Sequence, residues 1–230
     1  MSTSAKSKHS PAIIRRMTKA DSPKAAQVHM EGFPGFFLTF LGHRFIAVMY
    51  RSILDKEDAI AHVAVEEDGT LLGLMVGTSA PQQIYRRLVH DHLWDFAWAS
   101  LGAVARRPTI LPRLMRAVRR QENAEGQEAD ALLMSLAVSP AARGRDLGRV
   151  LMRTALADAR RRGCHKVALI TDRDHNDHVN QFHQSLGFKI VREFATPEGR
   201  HMYEYMLNLD ETPLFPEETG TSSAIIKSFE

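Results

Sequence analysis

Cysteine is almost missing from this chain: Cys164 stands alone among 230 residues. One thiol cannot close an internal disulfide, so a disulfide-stapled secreted scaffold is excluded and a reducing cytoplasm is the expected compartment. Charge of one sign is scarce as well. With 30 Lys and Arg against 27 Asp and Glu, the formal net charge is +3. That is too little to build a nucleic-acid-binding surface by itself, and no nucleic-acid partner is expected. No apolar run reaches the roughly 18 residues of a membrane-spanning helix. Met1 to Ser10 is Ser- and Lys-rich but lacks the apolar core of a secretory signal. What is present is ordinary globular material: 44% apolar residues, enough in a chain of this length for one domain with a large core.

The pattern along the chain alternates strands and helices. Ile13 and Ile14 begin a first strand. Asp21 reads as an N-cap, with Pro23 in the first turn of a helix to about Met30. A Gly-, Pro- and Phe-rich stretch, Phe33 to Phe40, precedes a helical pattern from about Gly42 to Leu54. Ala59 to Val65 and Leu71 to Val76 are strand-like, joined by Asp68-Gly69, a pair suited to positive φ. After about residue 131 come a buried-looking strand (Leu132 to Val138), a helix (Leu147 to Arg162, ended by Gly163), a strand (Lys166 to Thr171), a short helix (Val179 to Leu186, stopped by Gly187) and two strands (Lys189 to Phe194, His201 to Leu207). The expected organisation is a single α/β (α+β) domain over 12–210. Residues 1–11 read as a disordered lead-in and 211–230 as a flexible, acidic, Thr/Ser-rich tail.

Residues of about 81–130 interrupt this plan. They read as two helices split around Pro108 and Pro112, with Trp94, Trp98 and Leu101, then Leu111, Leu114, Met115 and Val118, at helical spacing. Six arginines (Arg106, Arg107, Arg113, Arg116, Arg119, Arg120) fall in fifteen residues that contain no acid. An amphipathic insertion packed on the domain with a solvated basic face explains this. A weak contact with an acidic substrate or an anionic membrane surface is the sharper reading.

The stretch with most chemistry is LAVSPAARGRDLGRVLM, Leu136 to Met152. A strand runs into a Pro-bearing turn, then a basic loop with Gly144 and Gly148 that opens directly into a helix. Backbone N–H groups and the positive end of a helix then converge on one point, which favours a phosphate. The nucleotide P-loop is excluded, because Gly148-Arg149-Val150 stands where Gly-Lys-Ser/Thr is required. The dinucleotide fingerprint lacks its third glycine.

Val138-x-Pro140 followed by Arg143-Gly144-Arg145-Asp146-Leu147-Gly148 resembles the pyrophosphate loop of the GNAT superfamily of acyl-CoA-dependent N-acetyltransferases. A second motif stands in order behind it: Asn176, Val179, Phe182, His183, Gly187 and Phe188 match the family's Asn-x-x-Ala-x-x-Phe-Tyr-x-x-x-Gly-Phe spacing. The resemblance covers 131–208 well and 12–80 loosely. It departs at Asp146, where the family has Gly, and at His183, where many members have Tyr beside the thioester sulfur. Asp tolerates the left-handed region better than most residues, so the turn can form.

The resemblance implies a central mixed, mostly antiparallel sheet flanked by helices. It implies acetyl-CoA as acyl donor, no metal, and direct transfer to a primary amine. Leu136, Ala137 and Val138 would pair with the pantetheine amides. Gly144, Arg145, Asp146, Leu147, Gly148 and Arg149 would cradle the pyrophosphate, with Arg143, Arg145 and Arg149 near the negative charge and Asn176 on the pantetheine arm. His183, with an imidazole near pKa 6.5, is the candidate acid for the leaving thiolate. The base is open between Asp172, Glu204, Glu31 and a water chain. A small polar acceptor such as an amino sugar is expected before a peptide or protein amine. A non-catalytic acyl-CoA-binding regulatory domain is the alternative, and a homodimer is compatible with either. Asp174, His175, Asp177, His178 and His183 also form a metal-like cluster, but that reading leaves Asn176 and Gly187 without a purpose.

Overall fold

The structure, a computed structural model, describes residues 11–82, 84–106 and 128–212. Seven strands form one sheet: β1 (Ile13–Arg16), β2 (Ala59–Val65), β3 (Leu71–Thr78), β4 (Ala131–Val138), β5 (Lys166–Asp172), β6 (Lys189–Ala195) and β7 (His201–Asn208). Their order is β1-β2-β3-β4-β5-β7-β6. Only β4 and β5 run parallel; the other neighbours are antiparallel. The expected mixed, mostly antiparallel sheet flanked by helices is what is found.

The helices are α1 (Ser22–Gly32), α2 (Phe37–Leu41), α3 (His43–Leu54), α4 (Ile84–Asp91), α5 (Leu93–Arg106), α6 (Leu147–Arg161) and α7 (Asp177–Ser185). One face of the sheet packs on α6, whose Leu151, Met152, Ala155 and Leu156 are fully buried. Each such leucine contributes about 1.5–3 kcal/mol. The other face packs on α1 and α3, through Ala25, Ala26, Ile46 and Tyr50 against Val63 and Leu74. The β2–β3 turn closes as the Asp-Gly pair predicts: Gly69 has φ +80° and Asp68 accepts from the Thr70 amide at 2.8 Å. Gly163 and Gly187 follow their helices at φ +81° and +92°, the left-handed conformation that ends a helix.

Three local expectations change. Asp21 does stand at the N-cap of α1, but its carboxylate turns back to the Thr18 amide and to Arg15, leaving the helix amides uncapped by it. The Phe-rich stretch, expected only to precede a helix, holds most of a short one of its own, α2. In the insertion the first break falls at His92 rather than at a proline. Pro108, Pro112, the 111–118 pattern and five of the six arginines lie outside the described residues. Over residues 93–100 of α5, where the side chains are described, the buried positions are Phe96 and Ser100, with Phe96 against Phe45 at 5.0 Å between ring centroids, whereas Trp94 and Trp98 are 77% and 73% exposed. The helical spacing of the tryptophans thus marks the outer face.

Candidate active site

The site begins with a defect in β4. Val76 pairs with Ser135 and Gly77 with Leu133, so Met134 is an extra residue on β4. A bulge bends a strand and re-aims the residues that follow. Gly77 makes it possible: a Cβ there would lie 2.5 Å from the Leu132 carbonyl oxygen. Past the bulge β4 leaves β5, with which it pairs only over Ala131–Leu133. The main chain of 134–138 is therefore open on its β5 side, and a cleft of about 790 Å³ runs along it.

At one end of the cleft lies the loop into α6. Pro140–Ala142 forms a 3-10 turn, Gly144 has φ +79°, and Asp146 adopts the left-handed conformation at φ 57°, ψ 16°. The Asp146 carbonyl accepts the first bonds of the helix, from Arg149 and Val150 at 3.1 and 3.2 Å. The amides just before them point out of the N-terminus with no carbonyl of their own turn to reach. The Asp146 carboxylate is exposed and lies 3.5 Å from the Arg149 guanidinium. Arg149 also donates to Ser185 Oγ at 3.2 Å and sits over the Phe182 ring. Arg143 is exposed and lines the cleft. Arg145 differs from expectation: its side chain reaches Glu66 at 2.9 Å, so its part in the loop falls to its backbone. Leu136 and Val138 line the cleft, while Ala137 is buried against α1.

The other end is assembled from distant segments. Asp172, at the end of β5, accepts two bonds from Arg200 at 2.9 and 2.6 Å, and the Arg200 guanidinium lies over Phe36 at 5.1 Å. The carboxylate offered as a base is thus held in a bidentate ion pair. Glu204 is buried on β7 and bonded to Arg192 at 2.6 Å; it is not among the residues lining the cleft. Glu31 accepts from Gln27 and Ser139 and ties α1 to the loop after β4.

His183 does line the cleft, packed edge-on to Phe182 and Phe188, and its Nδ1 is buried without a hydrogen-bond partner. Desolvation lowers its pKa to about 4, because burial penalises the imidazolium. Near pH 7 the ring is neutral, not the partly charged acid that an unperturbed histidine would be. Asn176 donates from its amide nitrogen to Thr171 Oγ1 and the Asp172 carbonyl, both at 2.9 Å, so its side-chain oxygen is the group left to meet a ligand.

Sequence reasoning overlooked Asn180, His29, Ser135 and Arg200. Asn180 donates to the Asp172 and Arg173 carbonyls at 3.2 Å and accepts from Tyr205 at 3.1 Å, holding the end of β5 to α7. Its signal was a lone Asn on the inner face of a short helix. Among the described residues, no three His, Cys, Asp or Glu side chains are placed to share a metal ion. Asp174 instead pairs with Arg173 and His201.

Residues 112–188 match the model of the acetyltransferase (GNAT) family. That stretch, about a third of the chain, carries the GNAT acetyltransferase signature. Solved structures share the GNAT fold at low identity. SsHAT has a TM-score of 0.60 at 21% identity, over 86% of this chain and 98% of that one. The ribosomal-protein-S18-alanine N-acetyltransferase from Escherichia coli has 0.51 at 14%, over 85% and 92%. The Drosophila melanogaster polyamine N-acetyltransferase has 0.54 at 16%, over 86% and 99%. Among curated proteins, none matches the chain significantly. The matched family is one of acyltransferases, and no helix among the described residues is long and apolar enough to cross a membrane.

Proposed function

We propose that this chain transfers an acetyl group from acetyl-CoA to a primary amine, both substrates meeting in the β4–β5 cleft. The observation that carries this is the opened main chain of 134–138, with a helix N-terminus at one end and a pocket of side chains at the other. The residues present suit coenzyme A. Open strand groups match the pantetheine amides, the amides of 144–148 match the pyrophosphate, and Arg143 and Arg149 match its charge. When bound, acetyl-CoA supplies an electrophilic acyl carbon and a thiol leaving group. A β4 amide beyond the bulge is the donor for the developing oxyanion. Asn176 orients the pantetheine arm. His183, being neutral, walls the thioester end and excludes water.

At the acceptor end Phe33, Phe36, Met134 and Met202 make apolar walls, and Asp172 and Arg200 neutralise one another. Such walls favour the uncharged form of an amine and suit a small amine with an apolar body better than an amino sugar. Thiol release from acetyl-CoA over a panel of diamines, aryl-alkyl amines, amino sugars and peptides with free N-termini tests the reading. Turnover with an apolar small amine is the expected result. Tight acetyl-CoA binding with no release from any amine would make the chain an acyl-CoA-binding regulatory domain.

A further inference from the structure

The acceptor wall of the cleft is a run of contacting rings. The Arg200 guanidinium lies over Phe36, Phe36 meets Phe33 edge-on at 5.2 Å between centroids, and Phe33 tilts against His29 at 4.8 Å. His29 is therefore the inner end of that wall; it is 4% exposed and lines the cleft. Gly32, less than one turn further along α1, lets the helix come this close. A Cβ there would lie 3.3 Å from the Ala137 Cβ on β4.

Tyr50, on α3, decides where His29 carries its proton. The Tyr50 hydroxyl lies 2.6 Å from His29 Nδ1. Tyr50 is fully buried, and among the described residues Nδ1 is the one group hydrogen-bonded to its hydroxyl. Burial holds the phenol well above its usual range, so it keeps its proton. A buried hydroxyl proton without an acceptor is costly, so Tyr50 donates and Nδ1 accepts. Burial also disfavours the imidazolium and lowers the His29 pKa to about 4. The single proton of the neutral ring then sits on Nε2. That nitrogen has no partner among the described residues and, unlike Nδ1 of His62 and His183, is not closed off from solvent. The ring edge left for the cleft is an uncharged N–H donor, not a base.

We propose that the His29 Nε2–H selects the acceptor by donating a hydrogen bond to an uncharged oxygen carried on the amine's apolar body. This rests on the acyl-transfer reading above. A site that hydrogen-bonds a substrate oxygen rejects the analogue lacking it, because the buried donor is then left unpaired. An apolar wall alone discriminates far less between such analogues. The matching oxygen is neutral, a hydroxyl, ether or carbonyl, rather than a carboxylate. The donor carries no charge, and the Arg200 guanidinium is already engaged by Asp172.

Two wild-type readouts test the selection. In the unliganded full chain, histidine ¹⁵N shifts should show His29 protonated on Nε2 and bare on Nδ1; the opposite tautomer overturns the proposal. In turnover, ω-methoxyalkylamines of three chain lengths are compared with alkylamines of equal length, rates being expressed per neutral amine. An ether oxygen accepts but cannot donate, so it probes this donor alone. At one length or more the ether should have the higher kcat/KM by about 10–100-fold, the range of one buried hydrogen bond. In His29→Leu and Tyr50→Phe the ratio should fall to within about threefold of one. The first removes the donor, and the second frees the ring to change tautomer. Both amines of a pair meet the same enzyme, so a general loss of activity cancels in the ratio. A wild-type ratio near one at every length, or a ratio that survives His29→Leu, overturns the selection while leaving acyl transfer intact. If either variant does not fold, the tautomer and the wild-type ratio still decide. A wild type that binds acetyl-CoA but releases no thiol with any amine brings down both readings.

Discussion

The two ends of the cleft are built on different principles. The end at α6 is mostly main chain: the amides of about six consecutive residues, shaped by Gly144 and Asp146 in the left-handed region. The other end is side chains from α1, the Phe-rich stretch, β4, β5 and the β6–β7 hairpin, brought together by long-range pairs such as Asp172–Arg200. A main-chain site tolerates side-chain change provided the dihedral angles survive. A side-chain pocket is retuned by single substitutions. One scaffold can therefore hold its donor constant and vary its acceptor.

Acid should separate the ends most strongly. Burial lowers the pKa of His29 and His183 to about 4, and lowers that of His62, while the unfolded chain titrates near 6.5. Between these values the unfolded state binds more protons, so stability is complete above pH 6.5 and falls as pH drops toward 4. The loss is up to about 3 kcal/mol for each well-buried ring. The loop of 139–149 contains no histidine, so Phe33 and Phe36 near His29 should lose hydrogen-exchange protection before the loop does. Urea melts from pH 7 to 4.5 give the first quantity and exchange at pH 5 the second.

Gly77→Ala should damage both ends together. Its Cβ has no room beside Leu132 and Leu133, so the bulge must shift at a cost of about 3 kcal/mol. A lowered urea midpoint and weaker acetyl-CoA binding are expected, and a variant with unchanged midpoint would show that the bulge does not depend on this glycine. Asp172→Asn should touch only the acceptor end. The pair is partly exposed, worth about 0.5–1 kcal/mol, so KM for the amine should rise by a few-fold while calorimetry finds acetyl-CoA affinity unchanged. Asp146→Gly should act on the donor end alone and least. It relieves a left-handed non-glycine residue and removes a carboxylate from an anion site, so acetyl-CoA affinity should stay level or rise slightly. A tenfold loss would mean that the Asp146–Arg149 pair positions the arginine.

The donor end was legible in the linear chain because its determinants are local. Pro140, Gly144, Gly148 and the start of α6 lie within nine residues, and Asn176 to Phe188 repeat the family spacing on one short helix. Asp146 at positive φ was legible for the same reason. The bulge was not: Leu132 to Val138 reads as a plain buried strand, and only the pairing of Val76 and Gly77 across β3 shows that Met134 is extra. Nor could spacing disclose that Asp172 is engaged by Arg200, that Glu204 faces Arg192, or that Trp94 and Trp98 point outward. Each depends on a partner or a packing face far away in sequence.

The linear sequence by itself determined the order of strands and helices, the turn glycines and the form of the loop into α6, because hydrophobic period, positive φ and helix-end chemistry act between near neighbours. Only the tertiary structure decided where the sheet opens, which carboxylates are occupied, and which histidines lie neutral in the cleft. Those outcomes depend on desolvation and on contacts across tens of residues, which no local pattern encodes.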